Sequence, residues 1–195
     1  TDIFPSVKEA VPATGKEGFA IENKVKLTFH PDFANEAELL KEKLATIHGL
    51  EVVSEAPVTV YLDYLPERET AVNGEYYRID TGNGLINISA STSHGIFNGT
   101  QTLLSLLKGQ EKPFRLEALS IRDYPDLPYR GQMLDIARNF TTVEHLKKLV
   151  DVISSYKLNV LHFHFSDDEG WRLEIPGLEE LTSVGARRGH TTDEL

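Results

Sequence analysis

The sequence contains no cysteine among its 195 residues. This absence excludes disulfide bonds, thiolate nucleophiles and zinc sites built on cysteine, although it does not fix the cellular compartment. Basic residues are also scarce, since 20 lysines and arginines stand against 30 acidic residues and give a formal net charge of -10. A surface of this sign repels nucleic acid backbones and anionic lipids, so we expect neither as a partner.

Long apolar runs are missing as well. No stretch approaches the roughly 18 to 20 apolar residues needed to span a bilayer, and residues 1–5 lack the basic-then-apolar plan of a signal peptide. The chain starts at Thr1 rather than at a methionine, which indicates a processed or engineered start. We therefore expect an exported protein whose signal is no longer visible, located in the periplasm, at the surface or in the medium.

Hydrophobic residues make up 40% of the sequence, which suffices for a globular core. Residues 1–124 alternate between strand and helix patterns. A helix pattern begins near Asn35 with Gly49 as its C-terminal cap, and a second covers residues 93–107. Residues 81–84 have the composition of a hairpin turn. Four segments show strand patterns: residues 25–29, 58–62, 76–80 and 85–89. Together they predict an α+β domain over residues 1–124, a sheet with two helices on one face, without evident site chemistry.

A different pattern follows the proline-containing linker at residues 123–128. It runs strand, helix, strand over residues 129–135, 142–156 and 159–165, with an apolar second strand of the buried, parallel type. Thr141 and Glu144 have capping-box spacing at the start of the helix. Because crossovers are right-handed, the two strands should be parallel neighbours in one sheet.

The last residues carry a second capping signal. Thr191 and Glu194 have the spacing of a helix N-terminus, and no helix pattern follows them. We therefore expect the unit that begins at residue 125 to be incomplete.

Two loops should meet at the carboxyl ends of these parallel strands. The first loop carries Asp135 and Arg138, and the second carries Asp167, Asp168 and Trp171. An arginine, carboxylates and an indole together suit a sugar, because they can donate to hydroxyls, accept from hydroxyls and pack on the C–H face of the ring. The alternative is a structural ion pair between Arg138 and Asp167, with Trp171 in the core.

His162 and His164 alternate along the second strand and should therefore point to the same face, as in metal-binding pairs. With Asp167 and Asp168 nearby, a metal-dependent barrel hydrolase is an alternative function. No further histidine cluster with ligand spacing accompanies the pair, which favours imidazoles that bond to polar neighbours. We accordingly predict no metal and no cofactor.

Three segments match a known pattern. Residues 129–140 read YRGQMLDIARNF, residues 159–172 read NVLHFHFSDDEGWR, and residues 93–103 read SHGIFNGTQTL. The first two resemble the opening of the catalytic barrel of glycoside hydrolase family 20, and the third resembles a helix of the small domain before that barrel. The resemblance implies a (β/α)8 TIM barrel. Since such a barrel needs about 200 residues or more, residues 125–195 would form only its beginning.

The resemblance also implies a function and roles. The family contains exo-acting β-N-acetylhexosaminidases, which remove terminal non-reducing GlcNAc or GalNAc from glycans by a retaining, substrate-assisted mechanism. Arg138 corresponds to the arginine that binds the hydroxyls of the terminal sugar, and Asp167 corresponds to an acid of the same pocket. His164 would lie beneath Asp167 as support. Three further residues are expected to support the site: Asp135, Asp168 and Trp171.

The family's catalytic pair is an Asp that orients the substrate's acetamido group and an adjacent Glu that protonates the leaving oxygen. This pair normally follows a His-x-Gly-Gly sequence at the fourth barrel strand. Neither Asp168 and Glu169 nor Asp193 and Glu194 have that context. We therefore assign no catalytic residue in this chain and expect the chain alone to be inactive, and a non-catalytic carbohydrate-binding fragment stays open as an alternative.

Overall fold

The computed structural model describes residues 3–67 and 69–187. The chain divides into two compact units, Thr1–Asp126 and Leu127–Leu195. None of the helices found in the described residues is both long and apolar enough to cross a membrane.

The described part of the first unit contains nine strands: β1 (Glu9–Pro12), β2 (Phe19–Ile21), β3 (Lys24–Phe29), β4 (Glu51–Val53), β5 (Thr59–Tyr64), β6 (Tyr77–Gly82), β7 (Leu85–Ala90), β8 (Phe114–Leu116) and β9 (Leu119–Asp123). Seven of them form one mixed sheet of order β1-β9-β6-β7-β5-β3-β4. Strands β3, β4, β5 and β7 pair in parallel, whereas β6, β9 and β1 continue the sheet antiparallel. Strands β2 and β8 form a separate antiparallel pair.

Helices α1 (Ala34–His48) and α2 (Ser93–Leu107) contact each other. Helix α1 also packs on β3 and β4, and α2 packs on β6 and β7, so both cover the same face of the sheet, as the sequence predicted. Gly49 ends α1 with a φ of 61°, the left-handed geometry that favours glycine. The turn between β6 and β7 also has two left-handed residues, Asn83 (φ 53°) and Gly84 (φ 77°), the signature of a tight hairpin.

The hydrophobic core lies between this sheet and the two helices. Its fully buried side chains include Leu40, Leu44, Leu62, Ile79, Ile86, Ile88, Ile96 and Leu103. The strands contribute residues in alternation, since side chains at successive positions point to opposite faces. This core gives the first unit the means to fold by burying its own apolar surface.

Two adjacent leucines of α1 allow a matched test of this core. Leu40 is 1% exposed, whereas Leu39 is 36% exposed. We expect Leu40→Ala to lower the free energy of unfolding by about 2 to 5 kcal/mol, because it leaves a cavity. Leu39→Ala should change it by less than about 1 kcal/mol. Urea unfolding followed by circular dichroism measures both, and equal shifts would contradict the assignment of the core.

The second unit contains β10 (Gly131–Asp135), α3 (Val143–Ser155), β11 (Val160–His164), β12 (Ser166–Asp167), β13 (Gly170–Trp171) and α4 (Glu180–Ser183). Strands β10 and β11 pair in parallel, which brings Asp135 opposite His164. Strands β12 and β13 form a small antiparallel hairpin. The predicted strand, helix, strand unit is therefore present, and the loop expected at residues 166–171 is this hairpin.

Two details of this unit differ from the sequence predictions. The N-cap of α3 is Thr142, whose hydroxyl accepts a hydrogen bond from the N–H of His145, and not Thr141, one residue earlier. Strand β11 was predicted to be buried, but its residues are half-buried or exposed. In the described part of this unit only Ile136, Ala137 and Gly170 are buried.

Candidate sugar-binding site

Arg138 lies at the centre of a cluster at the carboxyl ends of β10 and β11. Its Nη2 is 2.5 Å from Oδ2 of Asp167, and its Nη1 is 3.1 Å from Oδ2 of Asp135. The parallel pairing that aligns the two strand ends brings these residues together, as the topology inferred from the sequence requires. The side chain of Arg138 is 54% exposed, whereas those of Asp135 and Asp167 are 20% and 16% exposed. The guanidinium is thus reachable from solvent while the two carboxylates that hold it are shielded.

Asp135 shapes the loop that carries Arg138. Its Oδ1 accepts hydrogen bonds from the backbone N–H groups of Ala137 (3.1 Å) and Arg138 (3.0 Å), which turns the chain sharply after β10. The hydrogen bond from the Arg138 N–H is the main reason that the pKa of Asp135 lies below its usual value, and the nearby His164 and Arg138 side chains add to it. Asp135 therefore stays ionised beside the guanidinium.

Asp167 joins the arginine to a histidine. Its Oδ2 is 2.9 Å from Nε2 of His164, and its Oδ1 accepts from the backbone N–H of Asp168 at 2.8 Å. A hydrogen bond from the Asp168 carboxyl, followed by the one from His164, holds the pKa of Asp167 well below its usual range. The same carboxyl pair raises the pKa of Asp168. Asp167 is the ionised member of the pair, and Asp168 takes up a proton first as the pH falls.

Trp171 is half-buried and uses its indole N–H within the unit. Nε1 donates to the carbonyl oxygen of Leu173 at 2.5 Å, and the backbone N–H of Trp171 donates to Gly185. Asp168 and Glu169 are exposed at the two-residue turn of the β12–β13 hairpin. Asp168 contacts the Arg138 cluster through Asp167.

Arg172 is the residue of this region that sequence reasoning did not single out. Its guanidinium donates to the carbonyl oxygens of Ile136 (3.1 Å), Ala137 (3.1 Å) and Ala186 (2.6 Å). The sequence shows Arg172 beside the hairpin but not its partners, because backbone carbonyls leave no pattern in residue types.

The histidine pair does not assemble a metal site with the described side chains. His162 is exposed, and His164 is bound to Asp167. Within residues 3–67 and 69–187 no three side chains of histidine, aspartate or glutamate have a metal-holding arrangement. The pair Asp193 and Glu194, and the capping signal at Thr191, lie outside the described residues.

The first unit has its own concave site, of about 460 Å³. It is lined by Pro66, Glu69, Thr70, Tyr76, Arg78 and Arg122. The charged groups neutralise one another, since Glu69 pairs with Arg78 at 2.8 Å and Arg78 pairs with Asp80 at 2.7 Å. Burial, followed by the hydrogen bond to Glu69, raises the pKa of Tyr76 to about 12. This cluster ties the segment after β5 to β6, which indicates a structural role.

Two family models match the chain. The one described as glycosyl hydrolase family 20, domain 2, matches residues 1–124. The one described as glycosyl hydrolase family 20, catalytic domain, matches residues 127–194. The chain belongs to glycosyl hydrolase family 20. The resemblance inferred from the sequence motifs is confirmed.

Two curated proteins are similar to this chain over most of its length. The N,N'-diacetylchitobiase of Vibrio harveyi is 40% identical over 153 residues, which are 77% of this chain and 17% of that protein. The β-hexosaminidase of Vibrio vulnificus is 36% identical over 162 residues, which are 83% of this chain and 18% of that protein. The family 20 chain thus spans less than a fifth of the length of these relatives.

Solved structures of the family superpose on the chain. A family 20 exo-β-N-acetylglucosaminidase from Vibrio harveyi, solved in complex with N-acetylglucosamine, has a TM-score of 0.78 and 35% identity, over 93% of this chain and 28% of that one. A β-N-acetylhexosaminidase from Bacteroides fragilis has a TM-score of 0.80 and 25% identity, over 96% of this chain and 38% of that one.

Proposed function

We propose that this chain is part of an exo-acting β-N-acetylhexosaminidase that removes terminal non-reducing GlcNAc or GalNAc from glycans. Family membership and the names of its relatives support the activity. One observation supports the assignment of the sugar-binding site. Asp135 and Asp167, at two adjoining strand ends, hold the exposed guanidinium of Arg138. The export expected from the sequence stays a prediction.

Each member of the cluster has a chemical role in this proposal. Arg138 donates two parallel hydrogen bonds to neighbouring hydroxyls of the terminal sugar, which a planar guanidinium does better than an ammonium. Asp167 accepts from a sugar hydroxyl, and His164 fixes the orientation of its carboxylate. Asp135 orients the arginine. The site therefore binds a neutral, hydroxyl-rich ring through groups that are already ordered.

We further propose that β10, α3 and β11 begin a (β/α)8 barrel, with residues 1–124 as the preceding domain and 125–195 as the start of the barrel. The parallel register of β10 and β11 and the family match from residue 127 support this arrangement. In a barrel the loops at the carboxyl ends of the strands form the substrate site, which is where Arg138 and Asp167 lie.

In the proposed mechanism the substrate supplies its own nucleophile. The oxygen of the 2-acetamido group attacks the anomeric carbon, the glycosidic C–O bond breaks, and the leaving oxygen takes a proton from an acid. Water then opens the cyclic intermediate with retention at the anomeric carbon. We assign neither carboxyl of this step to Asp168 or Glu169, because both are exposed at a hairpin turn and Asp168 is bound to Asp167.

The enzyme that carries this chain provides the test. It should hydrolyse 4-nitrophenyl N-acetyl-β-glucosaminide, and should hydrolyse the corresponding β-glucoside at least about a thousandfold more slowly, because the glucoside lacks the internal nucleophile. A chelator should leave the rate unchanged. Equal rates on both substrates would contradict the proposal. Loss of activity with chelator would favour the metal-dependent alternative, and sugar binding without turnover would favour a binding module.

A further inference from the structure

Arg172 anchors the loop that carries Arg138. The Nε and Nη2 atoms of Arg172 donate to the carbonyl oxygens of Ile136 and Ala137, the two residues before Arg138. The same guanidinium lies over the ring of Phe140, 5.5 Å from its centroid, two residues after Arg138. The loop that carries Arg138 is therefore contacted on both sides of Arg138 by one side chain, that of Arg172, which directly follows β13.

Gly170 supplies a second, independent observation. It is buried, and a Cβ added to it would lie 2.7 Å from Nη2 and 2.9 Å from Cζ of Arg172, and 3.2 Å from the carbonyl oxygen of Ala137. A side chain at this position would displace the guanidinium from the loop. The absence of a side chain at Gly170 therefore leaves the space that the Arg172 guanidinium occupies beside the carbonyl oxygen of Ala137.

We propose that Arg172 is a positioning residue for substrate binding, and that it acts by fixing the backbone before Arg138 so that the guanidinium meets the sugar hydroxyls. The inference rests on the proposed function, in which Arg138 binds substrate. Arg172 does not touch the substrate. It holds three carbonyls, of Ile136, Ala137 and Ala186, and these need donors that point in different directions, which a planar guanidinium provides and an ammonium does not.

The test is a double-mutant cycle in the enzyme that carries this chain. We expect Arg172→Met and Gly170→Ala each to lower kcat/KM about 10- to 100-fold on 4-nitrophenyl N-acetyl-β-glucosaminide, since displacement of a binding group by about 1 Å costs this much. Adding Arg172→Met to an Arg138→Ala enzyme should lower kcat/KM by less than about threefold more, because the group that Arg172 positions is already gone. Arg172→Lys should lose nearly as much as Arg172→Met. Arg115→Ala, which changes an exposed residue of β8, serves as the control.

The outcomes separate the two proposals. An Arg138→Ala enzyme with unchanged kcat/KM overturns the proposed site and this inference with it. If Arg138→Ala is impaired while Arg172→Met and Arg172→Lys keep the parent kcat/KM, the inference alone is overturned. It is also overturned if the kcat/KM losses of Arg138→Ala and Arg172→Met are fully additive in the double variant, because a merely structural arginine would produce that result. If Arg172→Met does not fold, Arg172→Lys and Gly170→Ala carry the same cycle.

Discussion

Replacing Arg138 by alanine is expected to lower kcat/KM of the enzyme at least about a hundredfold. In the proposed complex the guanidinium donates two hydrogen bonds to the terminal sugar, and hydrogen bonds to charged groups contribute about 1.5 to 3 kcal/mol each. Since about 1.4 kcal/mol corresponds to a factor of ten in rate, losing both gives an effect of this size. Steady-state kinetics on 4-nitrophenyl N-acetyl-β-glucosaminide measures it.

Arg138→Lys distinguishes a binding role from a structural ion pair. Lysine keeps the positive charge and can pair with Asp167, but it cannot donate two parallel hydrogen bonds to neighbouring hydroxyls. A binding role therefore predicts that most of the loss remains in Arg138→Lys. A structural role predicts near-complete recovery, because the ion pair would be restored. Arg115→Ala removes an exposed arginine from the first unit and should leave kcat/KM unchanged.

The sequence was most informative where an element is long and clearly bounded. Helix α2 covers residues 93–107, as predicted, because its apolar stripe spans four turns and Thr92 caps it. The turn at Asn83 and Gly84 was predictable because few residues other than asparagine and glycine adopt left-handed geometry without strain.

Short strands were missed. Strands β1, β2, β4 and β8 contain only three or four residues each, too few for an alternation of side chains to stand out, and the five-residue β9 was missed as well. Their stability comes from pairing with segments that are distant in sequence. Residues of β1 pair with residues of β9, more than a hundred positions away, for example Glu9 with Arg122. No local pattern encodes such a pairing.

The site shows the same division between what residue types encode and what they do not. The proximity of Arg138 to Asp167 followed from one topological rule, that parallel strands end at the same edge. The contribution of Arg172 depends on the directions of three backbone carbonyls, and these exist only once the loop after β10 has its shape. The N-cap of α3 also depends on backbone geometry. Thr141 and Thr142 are chemically identical, and only the backbone conformation determines that Thr142 caps the helix.

Asp167→Asn is expected to have the second large effect on activity. The substitution keeps the shape of the side chain but removes the charge that Arg138 and His164 share. Since charge-assisted hydrogen bonds are roughly twice as strong as neutral ones, kcat/KM should fall at least about tenfold. Glu169→Gln removes a charge from the neighbouring exposed turn and is the matched control. A near-normal Asp167→Asn enzyme would show that the carboxylate is not needed at the site.

The lowered pKa of Asp167 predicts how kcat/KM depends on pH. Because the hydrogen bond from Asp168, followed by that from His164, lowers the pKa of Asp167, its carboxylate stays ionised well below the ordinary aspartate value of about 3.9. The contribution of the ionised Asp167 carboxylate is therefore fully present above the ordinary aspartate pKa. It is lost only as the pH falls through the lowered pKa of Asp167. Asp168→Ala removes the first of these hydrogen bonds and should raise the pKa of Asp167, so its acid loss of kcat/KM should begin at a higher pH than in the parent enzyme. An unchanged acid limb in Asp168→Ala would mean that Arg138 and His164 hold Asp167 ionised without help from its neighbour.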